Sequence, residues 1–399
     1  MSQQKITLEH IEWIDSDSAL KDFVSFAQSF DSYYLDTEFH REKTYYPRLA
    51  LVQIAVGDRI AVIDPLTTDV SLLNPMFESS SLGVLHAAQQ DLDVLSHACG
   101  VIPAQIFDTQ IAAAFLGYST PSLASLLATF LKAQIPKGDR LTDWLRRPLT
   151  DTQITYAAND VVYLPDLENL ILSALNERGR TQWALEACEE LRRRPLGPSD
   201  PMNAWLRVKD VRGLRGQSRW VAQSLAKWRE ERAMHLDVPV RHVLSDLVIV
   251  SVASRLPKNA AELAHIRGMD EKLAKGSIGQ SVLAAVKDGL DRADGELPLP
   301  VPESEDLDRS LRPAVTLVSA WVTELARQQQ LDSTMLATRS DIVELLKRSP
   351  DARLLHGWRA DIVGRDIEDL LDGRRALSFG QLHGGGRGLR LIDTPEGSQ

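Results

Sequence analysis

Asp36, Thr37 and Glu38 lie in a short run that begins at Tyr33 and reads as a strand. Residues two apart in a strand face the same side, so both carboxylates project together. Neighbouring negative charges disfavour each other's ionisation unless a cation joins them. Hard oxygen donors of this kind suit Mg²⁺ or Mn²⁺. The same triplet also occurs on solvent-facing strand ends, and alone it does not separate the two readings. Asp91 follows the apolar run 82–87 after a short turn, where a helix begins. Capping and the helix dipole explain a carboxylate there equally well. Tyr156 and Asp160 are four residues apart in a helical pattern, one turn apart on one face. Ala157, Ala158, Val161 and Val162 surround Asp160 with apolar character. A carboxylate buried there needs a partner such as a metal, whereas an exposed one needs only water.

The elements that would carry these groups are legible in part. Residues 33–39, 49–56 and 59–64 read as strands rich in Val, Ile, Leu and Tyr. Gly57-Asp58 is a hairpin turn signal between the last two. Residues 82–87 predict a strand buried on both faces. Helical spacing follows at 90–98, 109–116 and 122–131, and in one long helix from Thr152 to about Arg178. This order predicts a mixed sheet flanked by helices. Further on, Trp220, Ser224, Lys227 and Trp228, then Val315, Val318, Val322 and Leu325, recur at helical spacing. No strand is expected in either stretch. Pro-rich segments at 192–201 and 296–303 read as linkers. The expected division is therefore 1–200, 202–297 and 304–380, with 381–399 a flexible tail.

The chain has 399 residues, 44% hydrophobic and 25% charged, which fits a folded protein of two or three domains. No apolar run approaches the ~20 residues of a membrane span. The first residues lack the basic and apolar regions of a signal peptide. Cys99 and Cys188 have no partnering pattern, which argues against a disulfide framework and a zinc site. The expected location is cytoplasmic, with no membrane association. The net charge of −10 is segregated. Residues 1–200 hold 16 Lys/Arg against 27 Asp/Glu, whereas 202–295 hold 16 against 11. Such a basic part attracts polyanions, unless its charges only solvate a surface.

Taken together, Asp36, Glu38, Asp91, Tyr156 and Asp160 resemble the site of the DEDD exonuclease superfamily, in its tyrosine-containing branch. Leu35-Asp36-Thr37-Glu38-Phe39, Thr44-Tyr45-Tyr46-Pro47-Arg48-Leu49, Val52-Gln53-Ile54 and Ile63-Asp64-Pro65 resemble the ribonuclease D family. So do Phe107-Asp108-Thr109-Gln110, the stretch 142–149 and Tyr156-Ala157-Ala158-Asn159-Asp160-Val161. The resemblance covers about residues 30–170, and the later segments resemble HRDC modules, the second more faintly. It implies an α/β RNase H-like exonuclease domain followed by two all-α HRDC-like helical bundles. It implies two divalent cations, Mg²⁺ or Mn²⁺. Asp36 would bridge them, Glu38 and Asp160 would complete the nucleophile-side ion, and Asp91 would hold the leaving-group-side ion. Tyr156 would orient the attacking water. The implied reaction is 3′→5′ exoribonucleolytic release of nucleoside 5′-monophosphates. The implied partner is RNA with a free 3′ end, tRNA precursors being typical, and no protein partner is expected. Phe39, His86, Lys137 and Arg140 are candidates for substrate contact. A 3′→5′ DNA exonuclease would share these motifs. A catalytically silent RNA-binding module would be expected to have lost a ligand, and all five positions are present.

Overall fold

The computed structural model describes residues 8–135, 142–297, 307–381 and 385–394. Six strands, β1 (Ile11–Ile14), β2 (Ser32–His40), β3 (Arg48–Val56), β4 (Arg59–Ile63), β5 (Leu82–Leu85) and β6 (Gln105–Asp108), form one sheet. Their order is β1-β4-β3-β2-β5-β6. β2, β3 and β4 pair antiparallel, while β1, β5 and β6 run parallel to their neighbours, so the sheet is mixed as expected. β3 reads as an apolar run because both of its faces are covered. The two-residue turn after it has Gly57 at φ +58°, and a Cβ there would meet the Phe30 ring at 2.6 Å. β1 and β6 were not anticipated. Each has four residues, too few to show a period against their surroundings.

Helices α1 (Asp17–Ala27), α2 (Gln89–Cys99), α3 (Thr109–Ala114), α4 (Asp151–Val162), α5 (Leu164–Glu177) and α6 (Thr181–Arg192) flank the sheet. One core gathers Phe23, Leu35, Ile54, Leu92 and Ile171, and a second packs α4 against Ala50, Leu51 and Val62. The single helix expected from 152 to 178 is two. Pro165, near the start of α5, has no amide proton to continue the α4 hydrogen-bond ladder.

The basic region folds around its own core. α7 (Gln217–Leu236), α8 (Asp246–Arg255) and α9 (Ser277–Asp291) enclose Trp205, Leu225, Ile249 and Val282. Trp205 is buried and Trp228 packs on that core, so neither is a free stacking surface. Arg219 and Arg229 are buried too, paired with Glu296 and Asp246. Lys209, Arg212 and Arg215 remain exposed.

The last region contains α10 (Arg312–Gln329), α11 (Arg339–Leu346) and α12 (Arg365–Leu371), and its core is continuous with that of the first region. Trp358 stacks on Trp183 at 5.4 Å and meets Phe115 edge-on at 5.0 Å. Arg359, fully buried, reaches Glu190 at 2.5 Å. The linker near 300 therefore precedes a region docked on the first one, not an independent bundle. Two strands correct the all-helical expectation, β7 (Arg375–Gln381) and β8 (Arg387–Asp393). Residues 387–393 of the expected flexible tail thus form a hairpin strand. Leu377, Leu389 and Leu391 lie on one side and pack on the core, a short alternation masked by the glycines at 384–386. Among the described residues, no helix is long and apolar enough to cross a membrane.

Candidate active site

β2 alternates as its sequence requires. Tyr33, Leu35 and Thr37 are buried on one face, and Asp36 and Glu38 occupy the other. That second face receives α4. Ala157 and Ala158 are fully buried against β3, and their small side chains let the helix approach closely. A capping box between Thr150 and Gln153 fixes where α4 begins, and hence the height of Tyr156 and Asp160. As a result, carboxylate oxygens of Asp36, Glu38 and Asp160 lie within 4.8 Å of one another. The Tyr156 ring stacks on Trp144 at 6.1 Å.

Asp91 arrives by a different route. Ala87 has φ +60°, a left-handed conformation that an L-residue adopts only when its surroundings hold it. Asp108 supplies that hold. Its carboxylate accepts from the amides of Ala87 at 3.1 Å and Ala88 at 2.8 Å, while also capping α3 through Gln110 and Ile111. α2 starts there, with Asp91 buried in its first turn. Thr37 donates its hydroxyl to Asp91 at 2.5 Å. The charge of Asp91 bears on Asp36, Glu38 and Asp160, although its oxygens are not in the group within 4.8 Å.

Burial dominates the electrostatics. It raises the Asp36 carboxyl well above the usual range, and the charges of Asp91, Asp160 and Glu38 add to the effect. Burial, then Asp160 and Asp91, push Glu38 up to about 8. Asp160 is raised to about 7 by burial and by Asp91, and Asp91 to about 7 chiefly by burial. Tyr156 is pushed up to about 12, by burial first and then by Asp160, Glu38 and Asp36. Among the described residues, none of the four carboxylates forms an ion pair with Lys or Arg. Converging hard oxygen donors without a cation of their own fit a divalent metal ion.

The other candidates are placed less centrally. Phe39 is half-buried at the end of β2, with the Arg41 guanidinium 4.9 Å from its ring centroid. His86 Nδ1 lies 2.9 Å from the Thr109 hydroxyl, which itself donates to the Leu85 carbonyl. Burial lowers the His86 pKa. Lys137 and Arg140 lie outside the described residues. Arg147, within the 142–149 stretch, is committed to Asp64 in a two-pronged ion pair and to the Ala50 carbonyl. Thr37 and Trp144 were not singled out in the sequence. Thr37 carried a signal only through its place between the two acids, and Trp144 only through its place in the 142–149 stretch.

A family model described as 3′-5′ exonuclease matches residues 11–176, and an HRDC domain model matches residues 218–286. Ribonuclease D of Bartonella henselae is 31% identical over 349 residues, covering 85% of each chain. Ribonuclease D of Jannaschia sp. is 35% identical over 355 residues, 86% of this chain and 91% of the relative. The chain belongs to the ribonuclease D family. The crystal structure of Escherichia coli RNase D, described as an exoribonuclease involved in structured RNA processing, superposes with a TM-score of 0.81 at 30% identity. It covers 91% of this chain and 99% of that one. The carboxylates thus belong to a 3′→5′ exoribonuclease of the ribonuclease D family, an enzyme that uses a divalent metal and acts on RNA.

Proposed function

We propose that this ribonuclease D releases nucleoside 5′-monophosphates from the 3′ ends of structured RNAs, tRNA precursors foremost, with two Mg²⁺ or Mn²⁺ ions. The observation that carries the reading is the convergence of Asp36, Glu38 and Asp160 oxygens within 4.8 Å, with Asp91 alongside. Asp36, Glu38 and Asp160 would hold one ion, and Asp36 with Asp91 would hold the other. Such ions supply charge neutralisation at the phosphate and a lowered pKa for the attacking water. The protein supplies placement. Tyr156, with its phenol raised to about 12, stays protonated at neutral pH. It acts as a hydrogen-bond donor that orients the attacking water and not as a base. Phe39 follows the acids on β2 and is our candidate to pack on the terminal nucleoside. Exposed Lys209, Arg212 and Arg215 on the basic region hold the RNA backbone. We place the enzyme in the cytoplasm, where the unpaired thiols of Cys99 and Cys188 stay reduced.

The test is digestion of a 3′-extended tRNA with Mg²⁺ or Mn²⁺, beside a matched DNA strand and a 3′-phosphorylated control. Stepwise shortening of the RNA from a free 3′-OH to 5′-mononucleotides is expected. Internal cleavage, release of 3′-monophosphates, or a clear preference for the DNA strand would refute it.

A further inference from the structure

Between β2 and β3 lies a loop, residues 41–47, with no ladder hydrogen bonds of its own. It closes the hairpin whose β2 strand carries Asp36 and Glu38. The β2–β3 register shifts between Glu38 and Phe39, two residues before the loop begins. A bulge at that point re-aims the neighbouring side chain. Where the loop sits therefore bears on where Glu38 points. The loop also borders an open cleft of about 460 Å³ lined by Arg41, Tyr46, Asp93 and His97, so close packing does not hold it from that side.

Specific ties hold it, and they run both ways. Toward the active site, Tyr46 stacks on His97 at 4.3 Å with the rings 3° from parallel, and Arg41 pairs with Asp93 at 3.6 Å. His97 and Asp93 stand on α2, the helix that carries Asp91. Toward the HRDC region, one carboxylate oxygen of Asp237 accepts the amides of both Tyr45 and Tyr46, at 3.0 and 3.1 Å. The Tyr45 hydroxyl donates to Glu230 at 2.7 Å, and Arg207 holds the same Glu230 oxygen at 2.9 Å. Asp237 terminates α7 in the left-handed conformation, φ +50° and ψ +49°. Its side chain thus leaves the helix end toward the loop.

We infer that Asp237 is a positioning residue, through which the HRDC region fixes the 41–47 loop and with it the setting of Glu38 and Asp91. The helical region is then a part of the catalytic scaffold as well as an RNA-binding surface. Exposed Asp237 adds little to global stability, so its effect falls on turnover and not on folding.

The experiment uses the full-length chain with Mg²⁺ and compares Asp237→Gly with Asp237→Asn. Glycine takes the left-handed conformation freely and removes the acceptor, whereas asparagine tolerates it and retains an acceptor oxygen. On a short single-stranded RNA, kcat of D237G should fall roughly ten-fold, well inside the hundred-fold cost of a misplaced catalytic group. KM should stay within about two-fold of wild type, because ground-state binding is untouched. D237N should recover most of the loss. Amide exchange should quicken at Tyr45 and Tyr46 in D237G and stay unchanged across the HRDC core, which shows that the region still folds. The inference is overturned if D237G turns over short RNA like wild type, if its defect is confined to KM on long RNA, or if D237N is as impaired as D237G.

Discussion

Metal loading should be strongly coupled to proton release, and the size of the coupling follows from the site. Glu38, near 8, is mainly protonated at pH 7 without metal, and burial with the charges of Asp91, Asp160 and Glu38 shifts Asp36 in the same direction. Asp91 and Asp160, near 7, are each about half protonated at that pH. Glu38, Asp91 and Asp160 together therefore hold about two protons at pH 7, and ligating carboxylates must lose them. Between pH 6 and 7, apparent metal affinity should rise by roughly a hundred-fold, about two protons being released from these three groups as the site fills. Above pH 8 the dependence should weaken as Glu38 ionises. Calorimetric titration with Mg²⁺ at pH 7, in buffers of different ionisation enthalpy, counts the protons directly. Release of fewer than about one proton, or affinity that is flat from pH 6 to 8, would refute the picture of a buried, mutually repelling nest.

The same raised values set the stability of the metal-free enzyme. Groups raised from ordinary carboxylate values stabilise the fold fully below about pH 4, and that stability is lost as pH rises through 7 to 8. Chelated protein should melt at a higher temperature at pH 5.5 than at pH 8, and Mg²⁺ at pH 8 should reverse the loss, as read by thermal scanning fluorimetry. Asp36→Asn and Asp160→Asn should abolish mononucleotide release, leave RNA binding by gel shift within about two-fold, and raise the melting temperature of the chelated protein at pH 8 by relieving repulsion. Tyr156→Phe should lower kcat roughly ten- to hundred-fold without moving either limb of the pH–rate profile between pH 6 and 9, since the phenol stays protonated throughout. A chain ending at residue 200 should lose several kcal/mol of stability in urea titrations, on the order of the ~3–5 kcal/mol that deleting a buried aromatic costs. Its loss of Trp358 uncovers Phe115 and Trp183.

What was legible in the sequence was what local pattern determines. The period of two in 33–39 put Asp36 and Glu38 on one face, and β2 bears it out. The spacing of Tyr156 and Asp160 put them on one turn, and α4 does so. Gly57-Asp58 gave the hairpin because only a turn tolerating positive φ matches the strand twist. The distant contacts left no such trace. Nothing near Asp108 announces that it holds the amides before Asp91, because that tie spans 20 residues. Nor does Arg359 look different from a surface arginine until Glu190 and the Trp358 ring enclose it. The hairpin β7–β8 was hidden by its glycines, which signal fraying when only their neighbours are read.

The segregated charge takes on a different meaning once the contacts are known. Two of the arginines in the basic stretch neutralise carboxylates inside the HRDC region. Its acidic residues Glu230 and Asp237 face the loop beside the catalytic strand. The interface between an acidic domain and a basic one is thus built from carboxylates of the basic side accepting backbone and phenol donors of the acidic side. Net charge attracts the RNA over distances near the Debye length, about 8–10 Å at moderate salt. Short hydrogen bonds set the register between the domains, and they do not weaken as steeply with salt. Rising ionic strength should therefore weaken RNA capture well before it disturbs the placement of Glu38 and Asp91.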